Sequence, residues 1–122
     1  GGRLPLHATA VGRVLLAAQP EWFIEAYFER ELEAPTAKTV VDPEVLRAEV
    51  GEVQRTGYSI TIEQMRVGQF SLALPVVVEG QTIAAVGMVL DKGKIGEVRR
   101  LMPLLRGTVE SIQASMSGRA IR

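Results

Sequence analysis

Two apolar runs separated by a short polar turn constrain this fold most. Ser71 to Val78 and Thr82 to Leu90 are apolar at almost every position, and Glu79-Gly80-Gln81 lies between them. Runs of this length around a turn that contains glycine are typical of a β-hairpin. Because each run is apolar on both faces, we expect the sheet to be covered on both sides. Pro75 cannot donate to a β-ladder, so its strand is predicted to be at an edge or bulged there.

Helices are predicted before the hairpin. The first follows Thr9, whose hydroxyl can cap it, and its apolar stripe is predicted to contain Val11, Val14, Leu15 and Ala18. The second begins at Pro20 and Glu21, and its apolar side is predicted to contain Trp22, Phe23, Ala26 and Tyr27. The third begins at Asp42-Pro43-Glu44 and ends at Gly57, with a core stripe of Leu46, Val50 and Val53.

Between the third helix and the hairpin, Tyr58 to Glu63 alternates with period two and predicts a half-buried strand. After the hairpin, a helical stripe runs from Ile95 to Met116, and Pro103 is expected to bend it or to mark a break in its first turns. Three helices, a strand, a hairpin and a helix predict an α+β fold with a mainly antiparallel sheet. This order leaves no room for a βαβ nucleotide-binding fold.

The composition excludes several function classes. Lys and Arg together number 14, as do Asp and Glu, so no basic face for nucleic acid is implied. The absence of cysteine excludes thiol nucleophiles and zinc–thiolate sites and suits a cytoplasmic protein. No apolar run approaches the roughly 20 residues needed to span a membrane, and the chain does not begin like a signal peptide.

The start of the first helix has two interpretations. Ala8, Ala10 and Gly12 are small, which would leave the unpaired N–H groups of the first turn open to an anion. Alternatively, the small residues let an ordinary capped helix pack tightly. The residues alone leave both open.

Several segments together resemble a known family. They are Pro5 to Ala17, Asp42 to Glu49, Arg55 to Ser59, Leu72 to Val76 and Ile83 to Val86. In order and spacing they resemble the effector-binding domain of IclR-type bacterial transcription regulators. The resemblance covers nearly the whole chain.

The resemblance implies a GAF-like or profilin-like ligand-binding fold, with helices flanking the antiparallel sheet, over residues 1–122. In this family a winged helix-turn-helix domain precedes the effector domain and binds DNA, and the proteins are dimers or tetramers. We expect the chain to be N-terminally truncated relative to that pattern, without the DNA-binding domain and the opening segment of the effector domain. Loss of upstream strands would leave a sheet edge inclined to associate.

The resemblance also implies a ligand site. Family members hold the carboxylate of a small organic acid on backbone N–H groups at positions that match Ala10 and Val11, flanked by Thr9 and Gly12. This adds support to the anion-site interpretation. The other polar pocket positions of the family, normally an acid, a Cys or Ser, and two serines, correspond here to Thr61, Ser71, Gly87 and Val89. Leu6 and Leu72, with Gly87 and Val89, are expected to shape an apolar wall.

The positions that differ from the family pattern predict a different ligand preference from that of family members that sense glyoxylate or pyruvate. The acid is replaced by Thr61, and Gly87 and Val89 carry no polar group, so the site has fewer hydrogen-bonding groups and more room. An aromatic or medium-chain carboxylate fits such a site better. The alternative is a pocket filled by its own side chains.

No catalytic machinery is evident. His7 is the only histidine, which excludes a multi-histidine metal site, and we interpret it as a structural residue near the helix start. The prediction is therefore an effector-sensing domain without a cofactor or metal, in a homo-oligomer, that reaches DNA only through the absent N-terminal domain. Two alternatives remain: a GAF-like oligomerisation module with a collapsed pocket, and an enzyme that uses His7 as a base.

Overall fold

Helices lie on both faces of an antiparallel sheet in residues 5–121, which the computed structural model describes. The elements are α1 (Ala10–Ala17), α2 (Glu21–Phe28), α3 (Pro43–Thr56), β1 (Ser59–Ile62), β2 (Gln69–Val78), β3 (Gln81–Asp91), a 3₁₀ helix (Lys92–Glu97) and α4 (Val98–Ile121). This order confirms the predicted α+β fold. None of the described helices is both long and apolar enough to cross a bilayer.

The sheet has the order β1-β2-β3, with both pairs antiparallel. Glu79 and Gly80 form the hairpin turn, and both have positive φ angles, 52° and 77°, as a type I′ turn requires. The pairing of β1 with β2 ends at Ala73, so Pro75 has a strand partner on one side only. A register shift follows between Val76 and Val77. Both features agree with the prediction that the strand is at an edge or bulged near the proline.

The two faces of the sheet carry separate cores. On one face, side chains of β2 pack against α4 in a cluster of Phe70, Leu72, Leu74, Val76, Leu101, Leu105 and Val109. On the other face, Ala73 packs against Ala10 and Val14 of α1 and Val53 of α3. The central strand is therefore covered on both sides, as expected.

Coverage does not extend across β3, and here the prediction is wrong. Val89 is 68% exposed and Ile83 is 48% exposed. The reason is geometric, because α1 has only eight residues and is centred over β2, so it covers only part of β3.

The first two helices confirm the predicted burial only in part, at Val14 in α1 and Tyr27 in α2. In α1 the buried residues are Ala10, Gly12, Arg13, Val14 and Leu16, while Ala18 follows the helix and is exposed. A helix packed between α3 and the sheet has no single apolar stripe, because most of its sides are covered. In α2 the buried residues are Ile24, Tyr27 and Phe28, whereas Trp22 is 72% exposed. Pro20 is its N-cap rather than its first residue.

The predictions for α3 are confirmed. The Asp42 carboxylate accepts a hydrogen bond from the Glu44 N–H at 2.9 Å, and Gly57 ends the helix in the left-handed conformation with φ of 77°. Leu46, Val50 and Val53 are buried. In α4 the helix runs through Pro103, and the change from 3₁₀ to α geometry comes earlier, at Val98.

Candidate functional site

The start of α1 is capped as predicted. The Thr9 hydroxyl accepts a hydrogen bond from the Gly12 N–H at 2.9 Å. Gly12 is a packing residue, since a Cβ there would lie 2.6 Å from the Leu6 Cα and 2.5 Å from the Thr9 oxygen. Ala8 and Ala10 are fully buried. The small residues therefore let the preceding turn approach the helix, and the Gly12 N–H is not open to an anion.

A row of side chains crosses the sheet below this helix end. Thr61, Ser71 and Val89 are register partners on β1, β2 and β3 and share the face toward α1. The Thr61 and Ser71 hydroxyl oxygens are 2.7 Å apart, and the Ala10 N–H donates to the Ser71 oxygen at 3.2 Å. Position 61 thus links β1 to the helix start through Ser71.

Hydrogen counting shows that this arrangement keeps spare donors. Thr61 and Ser71 each have one hydroxyl hydrogen, and the hydrogen bond between them uses one of the two. The other hydroxyl hydrogen stays available to a ligand. The Val11 N–H has no acceptor among residues 5–121. A first-turn N–H and a hydroxyl hydrogen are donors of the kind that hold a carboxylate.

A cavity of about 330 Å³ lies beside these groups. Seven of the residues expected at the site line it: Thr9, Ala10, Val11, Thr61, Ser71, Gly87 and Val89. The rest of its lining consists of Glu63, Gln64, Met65, Arg66, Gln69, Phe70 and Met88. Its size falls within the range of small-molecule sites, roughly 300–1,000 Å³.

Three expected residues lie elsewhere. Leu72 directly follows Ser71 in β2, and consecutive side chains of a strand lie on opposite faces of the sheet. It is therefore fully buried against α4. Leu6 packs against the cluster formed by α2 and α3. Gly12 is enclosed by Leu6 and Thr9, as described above. These placements correct the expected lining.

The extra room expected at Gly87 is already occupied. A Cβ at Gly87 would lie 2.6 Å from the Val11 side chain and 2.9 Å from the Leu72 carbonyl oxygen. The glycine therefore lets β3 approach α1, and Val11 fills the space that a larger residue would take.

Buried polar residues that were not predicted from the sequence form another part of the cavity wall. The Glu63 carboxylate accepts hydrogen bonds from Lys38 at 2.7 Å, from Lys92 at 2.8 Å and from the Gly68 N–H at 2.9 Å. These donors, the lysines first, lower the pKa of Glu63 to about 2. Its backbone has a positive φ of 55°, which is unusual for a residue with a side chain. The carboxylate ties the loop after β1 to two other segments.

We expect Glu63→Gln to make unfolding less sensitive to acid. Because the folded-state pKa lies below the ordinary value of 4.5, the carboxylate contributes stability above about pH 4.5, and that contribution is lost as the pH falls toward about 2. Urea denaturation from about pH 6 to about pH 2 measures it. Glu52→Gln, which removes an exposed pair with Arg55, is the control and should follow the wild-type profile closely. Parallel profiles for wild type and Glu63→Gln would contradict this role.

Gln64 belongs to a second buried network centred on Arg13. The guanidinium donates to the His7 carbonyl at 2.9 Å and to the Gln64 side-chain oxygen at 2.8 Å, and it pairs with Glu49. Burial lowers the pKa of Arg13, and Glu49 opposes that shift. The Gln64 oxygen also accepts from the Val40 N–H at 3.1 Å. One arginine thereby joins α1, α3 and the cavity loop.

His7 lies outside the cavity and is structural in its contacts. Its Nε2–H donates to the Glu33 carbonyl at 2.7 Å, because a carbonyl can only accept, and Nδ1 shares a hydrogen bond with the Tyr27 hydroxyl at 2.8 Å. Both ring nitrogens are therefore used in packing the N-terminal turn against α2. Within residues 5–121, no group of three or more acidic or histidine side chains is arranged to hold a metal ion.

Two signals in the sequence could have identified part of the missed lining. Glu63 continues the period-two series Ser59, Thr61, Glu63, and Gln69 precedes Ser71 by two residues, so both share the cavity face. No comparable signal exists for Gln64, whose role depends on contacts with distant residues.

Comparison with known proteins identifies the family. The family model of the bacterial transcriptional regulator IclR C-terminal domain matches residues 1–114. The chain belongs to the IclR family. Its α+β structure with an antiparallel sheet is the GAF-like fold of IclR C-terminal domains, and the Thermotoga maritima IclR structure superposes with a TM-score of 0.80 at 25% identity over 90% of this chain and 46% of that one.

Curated IclR-family relatives are regulators of transcription. The chain is 34% identical to the Pca regulon regulatory protein of Pseudomonas putida over 86% of this chain and 38% of that protein. It is 31% identical to the p-hydroxybenzoate hydroxylase transcriptional activator of Acinetobacter baylyi over 93% of this chain and 44% of that protein. The chain therefore spans less than half the length of these relatives.

Two solved IclR-family structures contain aromatic acids. An IclR homolog from Microbacterium hydrocarbonoxydans complexed with 4-hydroxybenzoate has a TM-score of 0.90 and 29% identity, over 96% of this chain and 48% of that one. A double mutant of the PobR inducer-binding domain from Acinetobacter, in complex with 3-hydroxybenzoic acid, has a TM-score of 0.85 and 28% identity over 93% of this chain and 67% of that one.

Proposed function

We propose that this IclR-family chain senses an aromatic carboxylate, which binds in the cavity beside α1. The observation that carries the proposal is the cavity itself, with the start of a helix and a hydroxyl pair at one end. The bound hydroxybenzoates in the two structural neighbours support the aromatic class.

The carboxylate would lie at the start of α1. The Val11 N–H and the spare hydroxyl hydrogen of the Thr61–Ser71 pair would donate to it. The partial positive charge of the helix N-terminus adds to the attraction. Ala10, whose N–H donates to Ser71, holds that hydroxyl in place.

An aromatic ring suits the remainder of the lining. Val11, Met65 and Val89 give the cavity apolar side chains, and Val89 replaces a polar position of the family pattern. Burial of a ring against these groups is favourable, whereas a two- or three-carbon oxoacid would leave part of the cavity unfilled.

We further propose that the effector acts by population shift. An acid that binds one arrangement of the domain or of a homo-oligomer more tightly would favour that arrangement, and attached DNA-binding domains in the whole regulator would move with it. This would take place in the bacterial cytoplasm.

Sensing is favoured over catalysis, because the single histidine lies outside the cavity. The cavity beside Ala10 also favours sensing over the alternative of an oligomerisation module with a collapsed pocket.

A thermal denaturation screen of the 122-residue chain tests the proposal. Benzoate, 4-hydroxybenzoate, 3-hydroxybenzoate, octanoate, pyruvate and glyoxylate are compared with benzamide, which has a similar shape but no charge. We expect aromatic acids to raise the melting temperature, with about 2.7 kcal/mol of added stability at about 100 times the dissociation constant. Stabilisation by pyruvate and glyoxylate alone, or equally by benzamide and benzoate, would contradict the proposal.

A further inference from the structure

The end of the cavity away from α1 contains two polar side chains, those of Arg66 and Gln69. Both line the cavity, and a turn brings them together, with the Gln69 N–H donating to the Arg66 carbonyl at 3.3 Å. Gln69 begins β2 and shares a face with Ser71, two residues farther along the strand. Two residues of a strand rise about 6.8 Å, so the Gln69 Cα lies about that far along the strand from the Ser71 Cα.

These two side chains differ from the other polar side chains of the lining. Thr9 bonds Gly12, Thr61 bonds Ser71, and the side chains of Glu63 and Gln64 are each held by hydrogen-bond donors. Among the side chains of residues 5–117 and the backbone of residues 5–121, the guanidinium of Arg66 and the side-chain amide of Gln69 have no hydrogen-bond or ion-pair partner. Hydrogen-bonding capacity at this end of the cavity is therefore available to a ligand.

The kind of group that fits follows from the donors and acceptors. A guanidinium can only donate, whereas an amide can donate through nitrogen and accept through oxygen. A hydroxyl can satisfy both side chains, because it can accept a hydrogen bond from the Arg66 guanidinium and donate one to the Gln69 side-chain oxygen. Glu63 on the same wall does not repel such a group, since Lys38 and Lys92 neutralise its carboxylate.

We propose that Arg66 and Gln69 determine ligand specificity by hydrogen-bonding a ring hydroxyl at the end of the ligand opposite its carboxylate. This inference rests on the proposed function and deepens it, from an aromatic acid to a hydroxylated aromatic acid.

Calorimetric titration of a double variant tests the inference. The wild-type chain and Arg66→Ala/Gln69→Ala are each titrated with benzoate, 3-hydroxybenzoate and 4-hydroxybenzoate. We expect the wild type to bind the better hydroxybenzoate about tenfold more tightly than benzoate, the worth of one or two hydrogen bonds. In the double variant this preference should fall to about twofold or less, because the better hydroxybenzoate loses more affinity than benzoate does.

A matched control removes the same residue types elsewhere. Arg106→Ala/Gln81→Ala changes an exposed arginine on α4 and an exposed glutamine at the hairpin turn, both outside the cavity, and should keep the wild-type preference. Equal wild-type affinity for benzoate and both hydroxybenzoates would overturn the inference but leave the proposed function intact. An equal loss of affinity for all three acids in the double variant would also overturn the inference and leave the proposed function intact. Failure of the wild type to bind any of the three would overturn the proposed function as well.

Discussion

Arg13→Met should lower the free energy of unfolding by about 3 to 5 kcal/mol, a large part of the stability of an ordinary domain. Arg13 is only 3% exposed, and its guanidinium donates to the His7 carbonyl and the Gln64 side chain while pairing with Glu49. Methionine fills much of the same space but supplies no donor.

The loss comes from the acceptors that remain. The His7–Arg13 and Arg13–Gln64 hydrogen bonds are buried, and each buried acceptor left without a donor costs about 1 to 3 kcal/mol. Glu49 adds less, because its side chain is 38% exposed and can turn toward water. Gln64 keeps its hydrogen bond from Val40, which limits the loss on that side.

Arg47→Met is the matched control for this measurement. Arg47 also pairs with a glutamate and donates two hydrogen bonds to Glu25, but both side chains are substantially exposed. Exposed ion pairs contribute little to stability, so its loss should be much smaller. Urea denaturation of the three chains compares them, and similar losses for both variants would show that the Arg13 network is not a main support of the fold.

Val11→Pro should weaken binding of an aromatic acid by about ten- to a hundredfold relative to Val11→Ala. Both variants lose the valine side chain that lies against Gly87, but only proline also loses the backbone N–H. A hydrogen bond to a charged group is worth about 1.5 to 3 kcal/mol, which corresponds to that range of affinity. Val11 is in the first turn of α1, where the helix itself does not need this N–H.

Calorimetric titration with 4-hydroxybenzoate, together with circular dichroism to check folding, separates binding from stability. Val11→Pro should remain folded, because a proline in the first turn removes no intrahelical hydrogen bond. Equal affinities of folded Val11→Pro and Val11→Ala would show that the N–H does not contact the carboxylate.

The sequence predicted best those elements whose causes are local. The ends of α3 are set by the capping and backbone geometry of Asp42, Pro43 and Gly57, and the structure agrees at each position. The hairpin depends on two neighbouring apolar segments and on a turn with two positive φ angles, so it could also be predicted from the sequence. The family motif then brought together distant residues, Ala10 and Val11 with Thr61 and Ser71, that do lie around one cavity.

The errors arose where a residue's role depends on tertiary packing. Leu72 was assigned to the cavity, although strand alternation with Ser71 sends it to the α4 face. Gly87 was expected to open space that Val11 in fact occupies. The buried roles of Arg13 and Glu63 were not predicted, because they depend on hydrogen bonds with Gln64, Lys38 and Lys92, which lie far along the chain from them. Such networks cannot be read from local spacing.

The central claim is that an aromatic acid binds at the start of α1, and amide NMR spectra recorded while 4-hydroxybenzoate is added test it most directly. We predict saturable shifts that are largest for the N–H signals of Ala10, Val11 and Ser71, with smaller shifts along α4. Saturable binding whose largest shifts fall on α2 or α4, with Val11 unchanged, would contradict it.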